Sequence, residues 1–376
     1  MFYEVPNMFK KLISTVLSTA TLFAASPALA QDVLNINILG KEEEELIPVK
    51  ADFTKSGPTL LFSDSPEMVY EKGVLYRDVL SGSLRLFFHH VNSMARDKKL
   101  AVIVKNKSNL HPVNLKVIRR GVNDASYNYL RDGKEAEERY FGKQKKLASW
   151  KIGFCNSVEL ITGRGYILEE NQLLTGIIDF EADKPVEVSV IMCEPQTDLE
   201  LYNETAPILP MDEHPLRGTF PKADWNYAIK SPIKPIKDNV YFLRLAGSEN
   251  YIKGTDKTTG LPAENYGNYG VVYTVDFQVD SKKPVQFLFN PIGGEFAGYA
   301  TLEHDGEEKI VALPKKLSMG KTIEDMVELG KLKNGSYRFT WSPPGASNLP
   351  IRLSLDNNLS SNTDCFGDRK VEKVML

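Results

Sequence analysis

Between Leu84 and Arg120 the chain runs through LRLFFHHVNS, KLAVIVKN and PVNLKVIRRG, three stretches of apolar and β-branched residues separated by polar turns. This pattern predicts an antiparallel β-meander. Upstream, Val33, Asn35 and Asn37 alternate with Leu34, Ile36 and Ile38, a period of two that predicts a strand with one exposed face. From Pro58 the signal strengthens through TLLF, a turn at Asp64, Ser65 and Pro66, and MVYEKGVLYRDV. Strand-length runs return after residue 148 as SWKIGF, VELI, GYILE, LLTGIIDFEAD and PVEVSVIMC, punctuated by Gly, Asp and Pro. About seven or eight strands over residues 58–202 have the size of an immunoglobulin-like sandwich.

One interval breaks the β pattern. Asp124 or Ser126 is placed to cap Tyr127 to Arg131, and Lys134 to Phe141 is rich in Glu and Ala, so a short helix over the sheet is expected. Residues 203–237 hold six prolines with little alternation and read as a linker. A second sandwich is expected over 238–356, through VYFLRLAG, VVYTVDFQV, PVQFLFNP, GYATLEH, KIVALP, SYRFTW and IRLSLD. Asp305-Gly306 is a hairpin-turn signal, and Thr322 with Asp325 marks a helical turn within 320–332. The expected fold is therefore all-β: two β-sandwich, immunoglobulin-like domains in tandem, with a short helical excursion in the first. Residues 31–57 form an N-terminal extension, and 357–376 a polar tail without period.

The first thirty residues change the address of the molecule. Lys10 and Lys11 precede an apolar run from Leu12 to Ala25, followed by Ala28-Leu29-Ala30. This is the pattern of a secretory signal peptide over 1–30, with Met8 an alternative start, and the run is shorter than the roughly 20 residues that span a bilayer. No later stretch is apolar enough for a membrane span. The formal charge of −3 becomes slightly more acidic once Glu4, Lys10 and Lys11 leave, which disfavours nucleic acid and anionic lipid as partners. Of the three cysteines, Cys155 and Cys193 are the candidate disulfide and Cys365 lies in the tail; all three free is the alternative. No CxxC suggests a zinc ribbon or a thioredoxin-like site.

Candidate chemistry is sparse. Histidines occur at 89, 90, 111, 214 and 304, and adjacent His89 and His90 point to opposite faces of a strand, so one is expected inside and one outside. HExxH, GxSxG and P-loop motifs are absent. The best polar cluster is Asp212, Glu213 and His214 with Arg217, able to hold a cation, to form an acid-base set, or to pin the linker by salt bridges. A second candidate is Asn265, Tyr266, Asn268 and Tyr269 of NYGNYG, preceded by Tyr251, Lys253, Asp256 and Gly260. Glycines beside exposed tyrosines let a flat ring meet a sugar face or a protein, or else close a sandwich edge.

SPEMVYEKGVLYRD, GSLRLFFHHVN, LPMDEHPLRGTF, NYGNYGVVY and SNLPIRLSL, spread from Ser65 to Leu355, resemble a group of exported bacterial proteins labelled copper amine oxidase (N-terminal) domain-containing. These motifs specify a family and not a reaction. The small repeat module behind that label, with a pattern like INGRTLVPLRA, is absent here. True copper amine oxidases carry Asn-Tyr-Asp/Glu and an HxH pair. Here Asn250-Tyr251 is followed by Ile252, while Asn265-Tyr266 and Asn268-Tyr269 are each followed by Gly, so that activity is rejected on residue grounds.

The sequence thus leads to an exported, non-catalytic protein, secreted or in the cell envelope, that binds an envelope glycan or protein and needs no cofactor. Two alternatives compete: a polysaccharide hydrolase using Asp212 and Glu213, and a structural module stabilised by a cation at the same acidic residues.

Overall fold

The structure, a computed structural model, describes residues 46–236, 239–247, 250–313 and 327–356. The signal peptide, the alternation at 33–38, Thr322, Asp325, Cys365 and the polar tail lie outside the described residues. The all-β expectation holds, with strands organised in three sheets and two α-helices among the described residues.

The N-terminal segment supplies β1 (Ile47–Pro48) and β2 (Asp52–Ser56). The first sandwich follows with β3 (Thr59–Ser63), β4 (Met68–Val69), β5 (Gly73–Asn92), β6 (Lys98–Lys105) and β7 (Val113–Val122). It continues with β8 (Ser149–Ile152), β9 (Ser157–Glu159), β10 (Ile167–Leu168) and β11 (Leu173–Cys193). The long strands β5 and β11 pair antiparallel along almost their whole length, with a register shift between Ala182 and Val186. Beyond that shift β11 pairs with β6, and before it with β7, so one sheet contributes two layers. Leu75, Leu84, Phe88, Val102, Leu115 and Val188 from both layers share one core.

Helix α1 (Tyr129–Phe141) is the expected excursion; its cap is Asn128, whose side chain accepts the Arg131 N–H, and not Asp124 or Ser126. It packs Ala136 and Tyr140 onto Gly121, where an added Cβ would lie 2.0 Å from the Ala136 carbonyl oxygen.

Residues 203–237, read from the sequence as a linker, carry the end of α2 (Leu199–Thr205) and two strands, β12 (Arg217–Phe220) and β13 (Asp224–Ala228). β12 pairs with β3 of the first sandwich, whereas β13 is sandwiched between β2 and β17 (Val272–Val279). Their partners are remote in sequence, and a proline-rich composition carries no trace of such pairing.

The second sandwich packs β1, β14 (Val240–Leu245), β23 (Ile351–Asp356), β18 (Val285–Asn290) and β21 (Val327–Leu332) against a six-stranded sheet. That sheet runs β2, β13, β17, β22 (Gly335–Trp341), β19 (Gly298–His304) and β20 (Glu307–Leu313). Residues 327–332, inside the segment expected to hold a helical turn, are extended as β21. β15 (Ile252–Thr255) and β16 (Pro262–Asn265) instead extend the first sheet through β12.

The chain therefore crosses the seam between the sandwiches repeatedly, and apolar side chains from both fill it. Leu60, Phe62, Phe87 and Tyr140 from the first sandwich share one core with Trp225, Tyr273, Phe289 and Trp341 from the second. Buried Arg85 ties them further, reaching Asp179 at 2.7 Å on one side and Asp224 at 2.8 Å on the other.

The disulfide expectation fails. Cys155 is exposed, Cys193 is buried, and both are free. Cys193 pairs with Lys99 near the start of β6, while the Cys155 N–H bonds Ser108 beyond its end. At ~3.3 Å per residue this separates them far beyond disulfide reach.

Candidate functional site

β3 ends at Ser63, and the following turn, Asp64 to Glu67, is fastened by Asp212. The carboxylate of Asp212 accepts the Ser65 hydroxyl at 2.8 Å, the Glu67 N–H at 2.8 Å and the His214 N–H at 3.0 Å. Both Asp212 oxygens are thus engaged by the chain itself, and Glu213 and His214 stand exposed beside them.

Arg217 does not join this group. Its guanidinium is buried against Asp256 at 3.1 Å, the Thr258 hydroxyl at 2.9 Å, and the carbonyls of Leu75 and Leu209, both at 2.9 Å. Burial works against the Asp256 carboxylate, but hydrogen bonds from Thr258 and the Arg217 charge prevail and hold its pKa below the ordinary value. This half of the predicted cluster pins β12 to the turn after β15.

Two carboxyls that the sequence reading did not single out complete the acidic group. Asp64 is only 8% exposed, and its Oδ1 has no hydrogen-bond partner. Burial, then Glu67, then Asp212 push its pKa well above the usual range. Glu67 is half-buried and is pushed up by burial and by Asp212, with His214 acting in the opposite sense. Glu67 lies inside SPEMVY, a stretch that carried family resemblance but no motif with a chemical meaning.

The adjacent histidines are both buried, His89 at 4% and His90 at 0% exposure, contrary to the expectation of one inside and one outside. Alternation does separate them, but both faces of this end of β5 are covered. Leu84, Leu86 and Phe88 face the first core, while Phe87 and His89 face the seam, where Gly345 closes over the His89 ring. The Thr175 hydroxyl donates to the Phe88 carbonyl at 3.0 Å, so at its 3.0 Å contact with His89 Nδ1 it accepts. Nδ1 therefore carries the proton, and the Nε2 lone pair faces Glu67 Oε1 at 3.8 Å. Burial, and then His90, lower the His89 pKa to about 3.

His90 Nδ1 bonds the Pro66 carbonyl at 2.9 Å and its Nε2 the Ser63 hydroxyl at 2.8 Å. The constellation has the form of an activated serine. Ser63 is fully buried, however, and burial lowers His90 to about 4, too weak a base for that role at neutral pH. These bonds hold the 64–67 turn in place.

NYGNYG forms a rigid loop at the same end of the molecule. Asn265 accepts the Tyr269 N–H and donates to the Tyr269 carbonyl, while Asn268 accepts the Ile252 N–H and donates to the Asn250 carbonyl and the Tyr273 hydroxyl. Gly270, at φ +77°, backs onto Leu60 and Phe87, where a side chain has no room. Tyr269 is turned inward and donates to the Ser347 carbonyl at 2.9 Å; burial, then Asp64, Glu67 and Tyr251, raise its pKa. Tyr266 is turned outward, 50% exposed, and meets Tyr251 edge to face at 5.4 Å and 87°.

Of the two sites predicted separately, at 212–214 and 265–269, the Asp64 and Glu67 carboxyls beside the first act electrostatically on Tyr269 of the second, while Asp256 and Arg217 form a separate structural pair. Tyr129, at the start of α1, borders Glu67: burial, and then that carboxylate, raise its pKa, and its hydroxyl donates to the Asn171 carbonyl at 3.0 Å. A separate groove of about 740 Å³, lined by Asn114, Trp150 and Asp183, lies at the bend of β5 and β11. Its polar groups bond one another, Asn114 to Asp183 at 2.7 Å.

No known protein family matches the chain, and no curated protein matches it. Among solved structures, the CUB1–EGF–CUB2 domains of rat MASP-1 align over 82% of this chain and 98% of theirs, at 7% identity and a TM-score of 0.20. Allantoicase aligns over 80% of this chain and 90% of its own, at 11% identity and a TM-score of 0.15. Mannose 6-phosphate isomerase from Bacillus subtilis covers 75% and 74%, at 8% identity and a TM-score of 0.13. Likenesses this faint carry no argument about function.

Proposed function

We propose that the protein is an exported, non-catalytic binding protein of the cell envelope whose ligand is a glycan, held at the NYGNYG loop. The observation that carries this reading is the exposed Tyr266, set edge to face on the partly buried Tyr251, on a loop frozen by two buried asparagines. A flat aromatic face suits the C–H face of a sugar ring, and a preformed loop avoids the entropy cost of ordering on binding.

A hydrolase built on Asp212 and Glu213 is disfavoured, because Asp212 is bonded on both oxygens to its own chain. A cation-stabilised module is disfavoured too, because among the described residues no three His, Cys, Asp or Glu side chains converge on one metal position. Calorimetric titration against a panel of envelope glycans tests the reading. Tyr266→Ala is expected to weaken binding about tenfold, equivalent to ~1.4 kcal/mol, at an unchanged melting temperature. Unaltered affinity in that variant excludes the site.

A further inference from the structure

The overall acidity of the chain conceals a basic edge. Residues 98–123 and 139–158 contain no Asp or Glu, although the formal charge of the whole is −3. They meet where β8, paired with β7, turns into β9. There Asn106 locks two loops together: its side chain donates to the His111 carbonyl at 2.9 Å and the Gly153 carbonyl at 3.0 Å, and its N–H to the Asn156 carbonyl at 2.9 Å. Ser108 adds a second tie, accepting the Cys155 N–H on its carbonyl at 3.2 Å and the Leu110 N–H on its hydroxyl at 3.1 Å. Leu110 and Phe154 are thereby held on one apex, 71% and 54% exposed, with the exposed thiol of Cys155 next to Phe154.

Lysines flank this apex. Lys107 and Lys151 lie three residues before Leu110 and Phe154, and Lys184 donates to the Pro112 carbonyl at 3.0 Å. The run Lys143, Lys145 and Lys146 leads into β8 and is fastened to β7, where Gln144 accepts the Arg120 N–H and Ala148 that of Val117, both at 3.0 Å. Three acids of β11 border the field: Glu187 holds Lys107 at 3.3 Å, Asp183 accepts from Asn114 at 2.7 Å, and Glu181 stands opposite Lys116. Lys143, Lys145, Lys146 and Lys151 are exposed and form no ion pair among the described residues. Protein interfaces are depleted in lysine, and a polyanion in water has no use for an exposed Leu and Phe. An anionic bilayer takes both, the acyl boundary receiving the apolar pair and the headgroup phosphates the long, flexible ammonium arms. We infer that this edge docks on an anionic phospholipid bilayer, with Leu110 and Phe154 entering the acyl boundary and the lysines lying among the phosphates. Such a contact holds the molecule at a membrane surface without a spanning segment, and it uses no residue of the NYGNYG loop.

The test is co-sedimentation of the mature chain, without the apolar residues 1–30, with phosphatidylglycerol–phosphatidylcholine vesicles and with phosphatidylcholine vesicles, at low salt. Binding to the anionic vesicles is expected, and Leu110→Ser with Phe154→Ser is expected to weaken it about tenfold at an unchanged melting temperature. Lys145→Glu with Lys146→Glu is expected to remove most of the anionic preference, roughly fivefold for each lysine lost. In a Cys365→Ser background, an environment-sensitive fluorophore on Cys155 is expected to brighten and shift to the blue on the vesicles, since Cys193 is buried and inert to labelling. Failure to bind anionic vesicles, equal binding to phosphatidylcholine, binding that survives loss of Leu110 and Phe154, or sedimentation with no change at the Cys155 label each overturns the inference. Self-association lost in the Leu110–Phe154 variant, without vesicle binding, assigns the apex to a second copy and overturns it too. Each of these failures leaves the glycan reading, tested at Tyr266, untouched.

Discussion

Glu137 shows how a single residue can sit in the seam at a cost. Its side chain is 4% exposed; Oε2 accepts the Tyr299 N–H at 2.7 Å, while Oε1 has no partner. Burial pushes its pKa well above the ordinary carboxyl value. Where the folded carboxyl keeps a proton that the unfolded chain has released, stability falls as pH rises, by up to ~1.4 kcal/mol per pH unit. Glu137→Gln is therefore expected to raise the melting temperature at pH near 7, with the gain shrinking as pH falls toward about 4.5. Thermal melts across that range measure it, and a gain independent of pH contradicts the assignment. His89 and His90 act in the opposite sense. Their folded pKa values, about 3 and about 4, lie below the unfolded value. Their stabilisation is complete above about pH 6.5 and is lost as pH falls through the range where only the unfolded rings take up protons.

At the scale of the element, α1 is wedged between the two sandwiches, and its glycine marks a point of close backbone approach. A Cβ on Gly133 would lie 2.0 Å from the Gly345 carbonyl oxygen, in the turn that also covers His89. Gly133→Ala gains about 1 kcal/mol in helix propensity but forces the helix from that turn, so a net loss of about 1–3 kcal/mol is expected by urea denaturation. The helix itself was readable from the Glu- and Ala-rich stretch Lys134 to Phe141, because helix propensity is a local property. β12 and β13 were not, because their strand character comes from β3, β2 and β17, far off in sequence. The candidate site was legible in part for the same reason. Asp212, His214, Tyr266 and Tyr269 stood out by residue type, whereas Asp64, Glu67 and His89 gain meaning only through the burial and neighbours that tertiary packing supplies.

For the whole molecule, a core shared by both sandwiches and the Arg85 bridge predict one unfolding event in place of two. Scanning calorimetry is expected to show a single transition whose van't Hoff and calorimetric enthalpies agree; two resolved transitions contradict the shared core. Residues 58–202 expressed alone are expected not to fold, because they leave β3 without β12 and uncover Phe62 and Phe87. Threading adds a consequence in time. β2 precedes the whole first sandwich yet belongs to the second, and Ser56 meets Asn226 from 170 residues away. As the chain is synthesised, β2 emerges early and must wait, unpaired, until β13 appears. The last step of assembly is then the capture of this early strand by late partners, a loop closure of high contact order that sets the folding rate. Double-jump refolding that follows Trp225 fluorescence is expected to resolve this step as the slowest phase, and removal of residues 46–56 is expected to abolish it.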